Sequence, residues 1–520
     1  MSASSFDAVV VGGGATGAGL VRDLAMRGVR SLLIEQGDLC HGTSGRFHGL
    51  LHSGARYVVR DPQSARECRQ ENPVLRRVAG HCIEATGGIF CWLEGDPEEY
   101  PPRFLDGCRA AGIDVDEIDI QVARRREPLL TPRTARVFQV PDATIDPFEL
   151  AEANVRSAEE HGAAIRRYSR LVGVTVEQGT VAGIEVEDAR DGGRERIQVG
   201  VLASAAGAWA GRVAALAGVQ LTMAPGWGVM VIMNQRLCRS VVNRCRMPSD
   251  GDIVVPVGTV CIAGTTDRTL DRLEDYPIRR QEVRDVLSES AEMLPALAAE
   301  RVLRVYAGAR PVYNPGQGGG EAREATRAHT VLDHAEQGVE RFVSTVGGKL
   351  TTFRLMAEHT ADAVCRKLGV DAVCRTAGEP LPAPGSSRLW RLGVRLTSNE
   401  EERQGADANL VCECELITRS TVDAFCAERR EADLEEMLRA LRLGMGPCQG
   451  AFCSLRAAGV LEQRTQRCDP RALRPLVAFL DERLRGMEPA LWGDGARQLR
   501  LNEIIYREVF ALDHAPTTPV

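Results

Sequence analysis

No apolar run in this 520-residue chain approaches the roughly 18 residues that a membrane-spanning helix needs. Any membrane contact is therefore expected to go through a partner or an amphipathic surface. The first residues lack the charged, apolar and small-residue succession of a secretory signal. The apolar stretch 6–11 runs straight into glycines and belongs to the fold. No Lys/Arg block is present and the formal net charge is −7, so nucleic acid is not an expected partner. A local arginine cluster can still hold an anion, because net charge does not describe a cleft. No internal repeat is found. Cysteine is not scarce: there are 16. Without a signal they argue for the reduced cytosol and against a disulfide scaffold. Most, such as Cys40, Cys68, Cys82, Cys91 and Cys108, are scattered singly and read as small buried hydrophobes.

The length exceeds one ordinary core, and 44% hydrophobic with 26% charged residues is ordinary globular composition. Residues 8–11 form a short β-type run, GGGATGAG follows, and a helical pattern continues to Arg27. The next β-type run is residues 30–36, which makes a strand–turn–helix–strand unit of a parallel sheet. Pro147 opens a further helix. Strands are predicted at 171–177, 181–187 and 197–204, and 219–265 is strand-rich, as a β layer covering a substrate would be. Glycines make 315–325 a loop. Residues 351–367 read as one helix stopped by Gly369. The Pro-, Gly- and Ser-rich stretch 377–408 is the candidate linker, and short helices follow, with Asp433 and Glu436 as a capping pair.

Gly12, Gly14 and Gly17 stand in the G-x-G-x-x-G pattern. The first permits a tight turn, the second lets backbone approach a pyrophosphate, and the third lets helix and strand pack closely. The helix start offers N–H groups to phosphates. Glu35, at the end of the next strand, is placed to accept hydrogen bonds from a ribose, which favours FAD or NAD over NADP.

The stretch GTSGRFHGLLHSGARY, 42–57, then makes the pattern specific. It resembles the active-site segment of FAD-dependent glycerol-3-phosphate dehydrogenases. YAGARP (306–311), TRAHTVLDH (326–334), STVGGKLTTFR (344–354), CIAGTTD (261–267) and ASAAGAWA (203–210) agree with it, in the family's order. Within that family the similarity is to the FAD-carrying chain of the anaerobic, quinone-linked branch, and it covers nearly the whole sequence. NRCRMPSDGDIVVP (243–256) and AEHTADAVCRKLG (357–369) extend it. The resemblance implies oxidation of sn-glycerol 3-phosphate to dihydroxyacetone phosphate on FAD. It also implies iron–sulfur, membrane-anchoring partner subunits and a quinone acceptor, hence a cytoplasmic protein held peripherally at the inner face of the cell membrane. It implies Thr43, Ser44, Gly207, Gly348 and Thr351 as further FAD contacts.

A phosphomonoester carries about −1.5 to −2 charge at neutral pH, and arginine has the fork geometry to hold it. Arg56, Arg310, Arg327 and Lys349 are the candidates. Loss of a hydride from a secondary alcohol also requires the hydroxyl proton to leave. His52 suits a general base, and Arg310 is the alternative, holding the substrate oxygen as an alkoxide forms. One departure stands out. Where the family commonly shows Lys-Gly-Ser, residues 224–233 read APGWGVMVIM, with Trp227 and Val229 replacing the cation and the hydroxyl. A ligand modified or bound differently is one expectation from that change. Two other readings stand beside the first: a flavin dehydrogenase of a 2-hydroxy acid or amino acid, and an electron-transfer flavoprotein subunit.

Late in the chain, Cys412 and Cys414 form C-x-C, 33 residues intervene, and Cys448 and Cys453 form C-x₄-C. Spacing alone leaves a [2Fe–2S] cluster, zinc and no metal all open. The surrounding CECE and GMGPCQGAFC are similar to the bacterioferritin-associated-ferredoxin-like domain, which implies a [2Fe–2S] cluster on these four cysteines. Gly444, Gly446 and Gly450 are expected to make room for backbone beside it. Cys426 and Cys468 lie outside the pairs. The expected fold is α/β: an FAD-binding Rossmann-like domain with an interleaved β-rich substrate part over 1–376, a linker over 377–408, a small helical [2Fe–2S] domain over 409–462, and a helical extension over 463–520.

Overall fold

The computed structural model describes residues 4–270, 272–273, 277–313, 328–383, 409–429, 433–465, 474–509 and 512. Strand β1 (Ser4–Val11), helix α1 (Ala15–Met26) and strand β2 (Ser31–Ile34) form the opening unit. Both neighbours of β1 run parallel to it, with Val9 opposite Leu32 on one side and Leu202 on the other. Period-2 alternation then divides the apolar residues of β1 between two layers. Ala8 and Val10 join Leu20, Leu24 and Val364 on the face covered by helices. Val9 and Val11 join Ile184, Leu202 and Phe342 on the other. Against α1 pack the helices Pro147–Glu160 and Phe353–Leu368.

Among the described residues, eight strands make up this sheet, drawn from residues 4–34, 164–204 and 329–347. A second sheet, of nine strands among the described residues, takes its members from 88–140 and 226–310. The two sheets alternate along the chain. A third, small sheet pairs Leu50–Leu51 and Ile83–Glu84 with Ala143–Ile145. It fixes the segment that precedes His52.

Local signals act as the sequence indicates. Pro147 opens its helix, with Asp146 accepting hydrogen bonds from the N–H groups of Phe148 and Glu149 at 2.9 and 3.3 Å. Gly369 closes Phe353–Leu368 at φ +71°. That helix starts later than expected: Leu350–Thr352 is a separate 3₁₀ turn. The loop 315–325 lies outside the described residues, as does 384–408 of the expected linker. Residues 377–383 run along the body, and Leu381 donates to Val78 O at 2.7 Å and is buried.

A hairpin of Leu410–Cys412 and Ile417–Thr418 and five α-helices follow among the described residues. Asp433 caps the second of these helices, accepting from Glu436 N at 2.9 Å. The boundary expected after residue 462 falls inside the helix Cys453–Thr465. Leu476, Tyr506 and Leu512 pack into the same core as Val411, Phe425 and Leu438, so the late helices complete one module. Arginines tie this module to the body. Arg167 and Arg429 both bond Glu152, at 2.9 and 2.7 Å, and Arg439 meets Asp38 at 2.7 Å.

Candidate active site and cysteine centre

One cavity of about 1020 Å³ joins the two large sheets. That is the upper end of the range for small-molecule sites and suits an extended dinucleotide. Gly12, Gly14, Glu35, Thr43, Ser44, Gly207 and Gly348 line it, together with His48, His52, Arg56, Tyr57, Arg310 and Lys349. Arg327 lies outside the described residues. Gly17 and Thr351 do not line the cavity, so their part is indirect.

The glycine loop is shaped by close approach. Gly12 sits at φ +109°, and a Cβ there would stand 2.7 Å from Ala205 O. At Gly17 a Cβ would be 1.8 Å from Gly12 O, so this glycine brings α1 onto the turn rather than touching a ligand. Glu35 accepts from Gly13 N at 2.7 Å and Gly37 N at 3.0 Å. Glu35 also lines the cavity, and a carboxylate has further lone pairs with which to accept from a ribose. Ser44 Oγ accepts from Ala15 N at 3.0 Å, and Thr43 donates to Ala309 O at 2.6 Å, so both side chains pin the loop as well as line the cavity. A cradle of positive-φ glycine, helix N-terminus and ribose carboxylate fits FAD.

Cations gather beyond this loop. Arg310 ends the strand Val302–Arg310 and bonds Asp267 at 3.0 Å, Thr266 O at 2.9 Å and the Thr265 hydroxyl. A Cβ on Gly228 would lie 2.6 Å from Arg310 Nη2, so the glycine inside that neighbouring strand clears the guanidinium. Arg56 pairs with buried Asp252. Lys349 Nζ stands 5.0 Å over the Tyr57 ring. Asp252 and Asp267 fix the two guanidinium forks, and an arginine's five N–H groups leave further directions for an anion. Trp227 and Val229 do not line the cavity. Trp227 packs with Trp209 and Leu270, and buried Val229 donates its N–H to Thr266 at 3.0 Å. The departure at these positions therefore falls outside the cavity wall.

His52 is 8% exposed. Its backbone N–H donates to Thr351 Oγ1 at 3.0 Å and its carbonyl accepts from Asn72 at 2.9 Å, while Nε2 faces the Tyr57 hydroxyl at 3.4 Å. Burial, then His48, Arg56 and Lys349, push its pKa well below the usual range. Burial, Arg56 and Arg310 do the same to His48, down to about 3. Both imidazoles are thus held in the neutral form. Sequence reasoning misses His48, Tyr57, Asp252, Asp267 and Gly228. Tyr57 adjoins Arg56, and a glycine inside a strand is the signal that points to Gly228.

At the cysteine centre, Cys412 ends the hairpin strand and Cys453 opens a helix. The side chains link in a row: Cys412 with Cys453, Cys453 with Cys448, Cys448 with Cys414. The Cys453 thiol and the N–H groups of Gly450 and Ala451 hold Cys448 down at about 5, whereas burial pushes Cys414 up to about 12. Only Gly446 makes room for a cysteine, since a Cβ there would lie 2.3 Å from Cys414 Cβ. Gly444 and Gly450 make room for the Phe479 ring instead, at 2.8 and 2.5 Å. Cys426 is buried in the module's apolar core, and Cys468 lies outside the described residues.

The FAD dependent oxidoreductase family profile matches residues 7–363. The chain is 42% identical to the A1 subunit of anaerobic glycerol-3-phosphate dehydrogenase from Haloferax volcanii, over 98% of this chain and 91% of that one. It is 39% identical to the counterpart from Escherichia coli, also named for the anaerobic glycerol-3-phosphate dehydrogenase, over 98% and 97%. Among solved structures, glycerol-3-phosphate dehydrogenase from Bacillus halodurans with FAD superposes with a TM-score of 0.59 at 19% identity, over 99% of this chain and 96% of that one. Glycine oxidase from Geobacillus kaustophilus gives 0.57 at 20% identity, over 73% and 99%. The chain belongs to the FAD-dependent oxidoreductases, in the family formed by these subunits of anaerobic glycerol-3-phosphate dehydrogenase.

Proposed function

We propose that this chain oxidises sn-glycerol 3-phosphate to dihydroxyacetone phosphate. The observation that carries this reading is the convergence of Arg56, Arg310 and Lys349 with two neutral histidines on one cavity. Gly12, Gly14, Glu35, Thr43, Ser44, Gly207 and Gly348 would hold FAD, which would supply the acceptor for the hydride from C2. Arg56, Lys349 and Arg327 bind the phosphate. Arg310 holds the C2 oxygen, and His52 Nε2 takes the hydroxyl proton as the carbonyl forms. Gly17 and Thr351 support the cofactor from behind.

The fold alone does not choose the substrate, because an amino-acid oxidase shares it. The test is anaerobic mixing of the FAD-loaded protein with glycerol 3-phosphate, 2-hydroxyglutarate, glycerol and sarcosine. Bleaching of the flavin by glycerol 3-phosphate alone is expected. Bleaching only by a non-phosphorylated compound makes the chain a different dehydrogenase, and no bleaching by any makes it an electron carrier.

The reading extends to the cysteine centre. Cys412, Cys414, Cys448 and Cys453 would hold a [2Fe–2S] group, which supplies one-electron transfer toward partner subunits and a quinone. No three of these sulfurs lie mutually within 4.8 Å among the described residues. A single tetrahedral ion draws four sulfurs closer than that (about 2.3 Å from the metal each), whereas a two-iron group spans a wider set. Cys448→Ser is expected to leave flavin reduction by substrate intact and to slow transfer to a quinone-linked acceptor. The body (1–376) and the cysteine module (from 409 to the C-terminal helices) act as donor and relay. No helix among the described residues is long and apolar enough to cross a membrane, in keeping with membrane attachment through partners.

A further inference from the structure

Two arginines lie between the cysteine centre and the active-site cavity. Arg483, on the helix Arg474–Met487, is 8% exposed. Its Nη1 donates to Gln449 Oε1 at 2.8 Å, and its guanidinium stands 4.8 Å from the Phe479 ring centre. Gln449 directly follows Cys448 and donates in turn to Gly446 O at 2.9 Å. Gly486 lets the same helix approach the strand Val302–Arg310, since a Cβ there would lie 2.8 Å from Val305 O. On that strand is Arg304, half-buried, with its Nε lacking a hydrogen-bond partner. Its neighbour Tyr306 donates to Phe47 O at 2.7 Å, and Phe47 lines the cavity.

The charges do not balance as they stand. Three other buried arginines of the body have a carboxylate, Arg27 with Asp23, Arg244 with Asp96 and Arg354 with Glu71, whereas Arg22 is satisfied by the Ser157 hydroxyl and the Glu379 carbonyl. Neither Arg304 nor Arg483 forms an ion pair with a carboxylate among the described residues. Burial, and then Arg304, press against the charge on Arg483; the groups that favour it are Cys453, the half-exposed Glu482 and Cys448. An arginine does not shed its proton to relieve such a misfit. Glu482 is half-exposed and paired with Arg485, so it screens two buried cations only in part, and a further anion at this place lowers the cost of burying them. Four cysteinates around two irons supply one, and its negative charge deepens on reduction.

We propose that Arg483 is the counter-cation of the cysteine centre and, through Gln449, the positioning residue of the Cys448 loop, with Arg304 as its second charge on the flavin side. This rests on the reading of the quartet as a [2Fe–2S] site. A fixed positive charge stabilises the more negative, reduced form and therefore raises the reduction potential.

The test uses the full chain, reconstituted anaerobically with iron and sulfide, and a redox titration followed by paramagnetic resonance. In Arg483→Met the reduced-to-oxidised ratio at fixed poise is expected to drop about tenfold, a fall of about 59 mV for a one-electron couple. Arg483→Lys, which keeps the charge, is expected to recover at least half of that shift. Arg485→Met, an exposed position on the same helix, is expected to match the unmodified chain. If Arg483→Met does not retain iron, Arg304→Met decides, since it leaves the Gln449 bond in place; a smaller fall in the same direction supports the proposal and no fall overturns it. Equal potentials in Arg483→Met and the unmodified chain, at equal iron content, overturn it, as does a Lys variant no better than Met. Uptake of zinc alone, or of no iron, by the unmodified chain overturns the cluster reading itself, and the proposal with it.

Discussion

The backbone N–H of His52 donates to the side-chain oxygen of Thr351 at 3.0 Å, across 299 positions of sequence. The bond ties the proton-accepting segment to the turn that follows Gly347 and Gly348. Thr351→Val keeps the shape and removes the acceptor. A buried N–H left unmatched costs about 1–3 kcal/mol. The expected result is a lower thermal midpoint and a reduced rate of flavin bleaching, with Thr351→Ser restoring both.

Gly17→Ala is expected to abolish flavin binding, because its Cβ would overlap Gly12 O at 1.8 Å. The visible absorbance of the purified variant measures this directly. Gly459→Ala, where a Cβ meets nothing within 4 Å, is expected to keep the flavin.

His48 is held at about 3 in the folded chain, against about 6.5 when unfolded. The unfolded state therefore binds the extra proton first. The contribution of this histidine to stability is complete above pH 6.5 and is lost progressively as pH falls toward 3. His52 shifts in the same direction. Denaturant titrations between pH 7 and pH 4 are expected to show stability falling with pH, less steeply in His48→Phe. Catalysis should show no histidine ionisation near 6.5 in kcat/KM for free enzyme.

Glu152 holds the cysteine module to the body. Burial raises its carboxyl, but Arg167 and Arg429 outweigh that and bring it down to about 2. Its contribution is present above the unfolded value of about 4.3 and is lost as pH drops through 2. Glu152→Gln leaves both guanidiniums with Glu436, and Arg167 also with Asp38, so the expected loss lies below the roughly 3–5 kcal/mol of a fully broken buried pair. Faster hydrogen exchange in 410–465 than in 4–34 is the expected sign, and unchanged exchange there would place the anchor elsewhere.

The parts of the site legible in advance are those with fixed local spacing. Gly12, Gly14 and Gly17 follow a strand and open a helix, so their geometry is written in consecutive residues. Arg56, Arg310 and Lys349 are marked by motif context and meet at one cavity. The anchoring pairs are not legible. Asp252 finds Arg56 across 196 positions, and Glu152 finds Arg429 across 277. With 64 basic and 71 acidic residues available, no periodicity selects such partners. Trp227 shows a further limit: a substitution that stands in a motif is placed in an apolar cluster beside the cavity, next to Trp209, which lines it.

The nucleotide sheet takes β1 from residues 4–11 and its strand Phe342–Gly347 from far downstream, with the second sheet inserted between them. On the ribosome, the strand Arg194–Ser204 waits for that late partner for roughly 7 to 30 s at ordinary elongation rates. Until then Arg194–Ser204 keeps an open edge at Leu202, where Phe342 will pair. The exposed apolar edge makes the nascent chain, more than the finished protein, the form most in need of a chaperone.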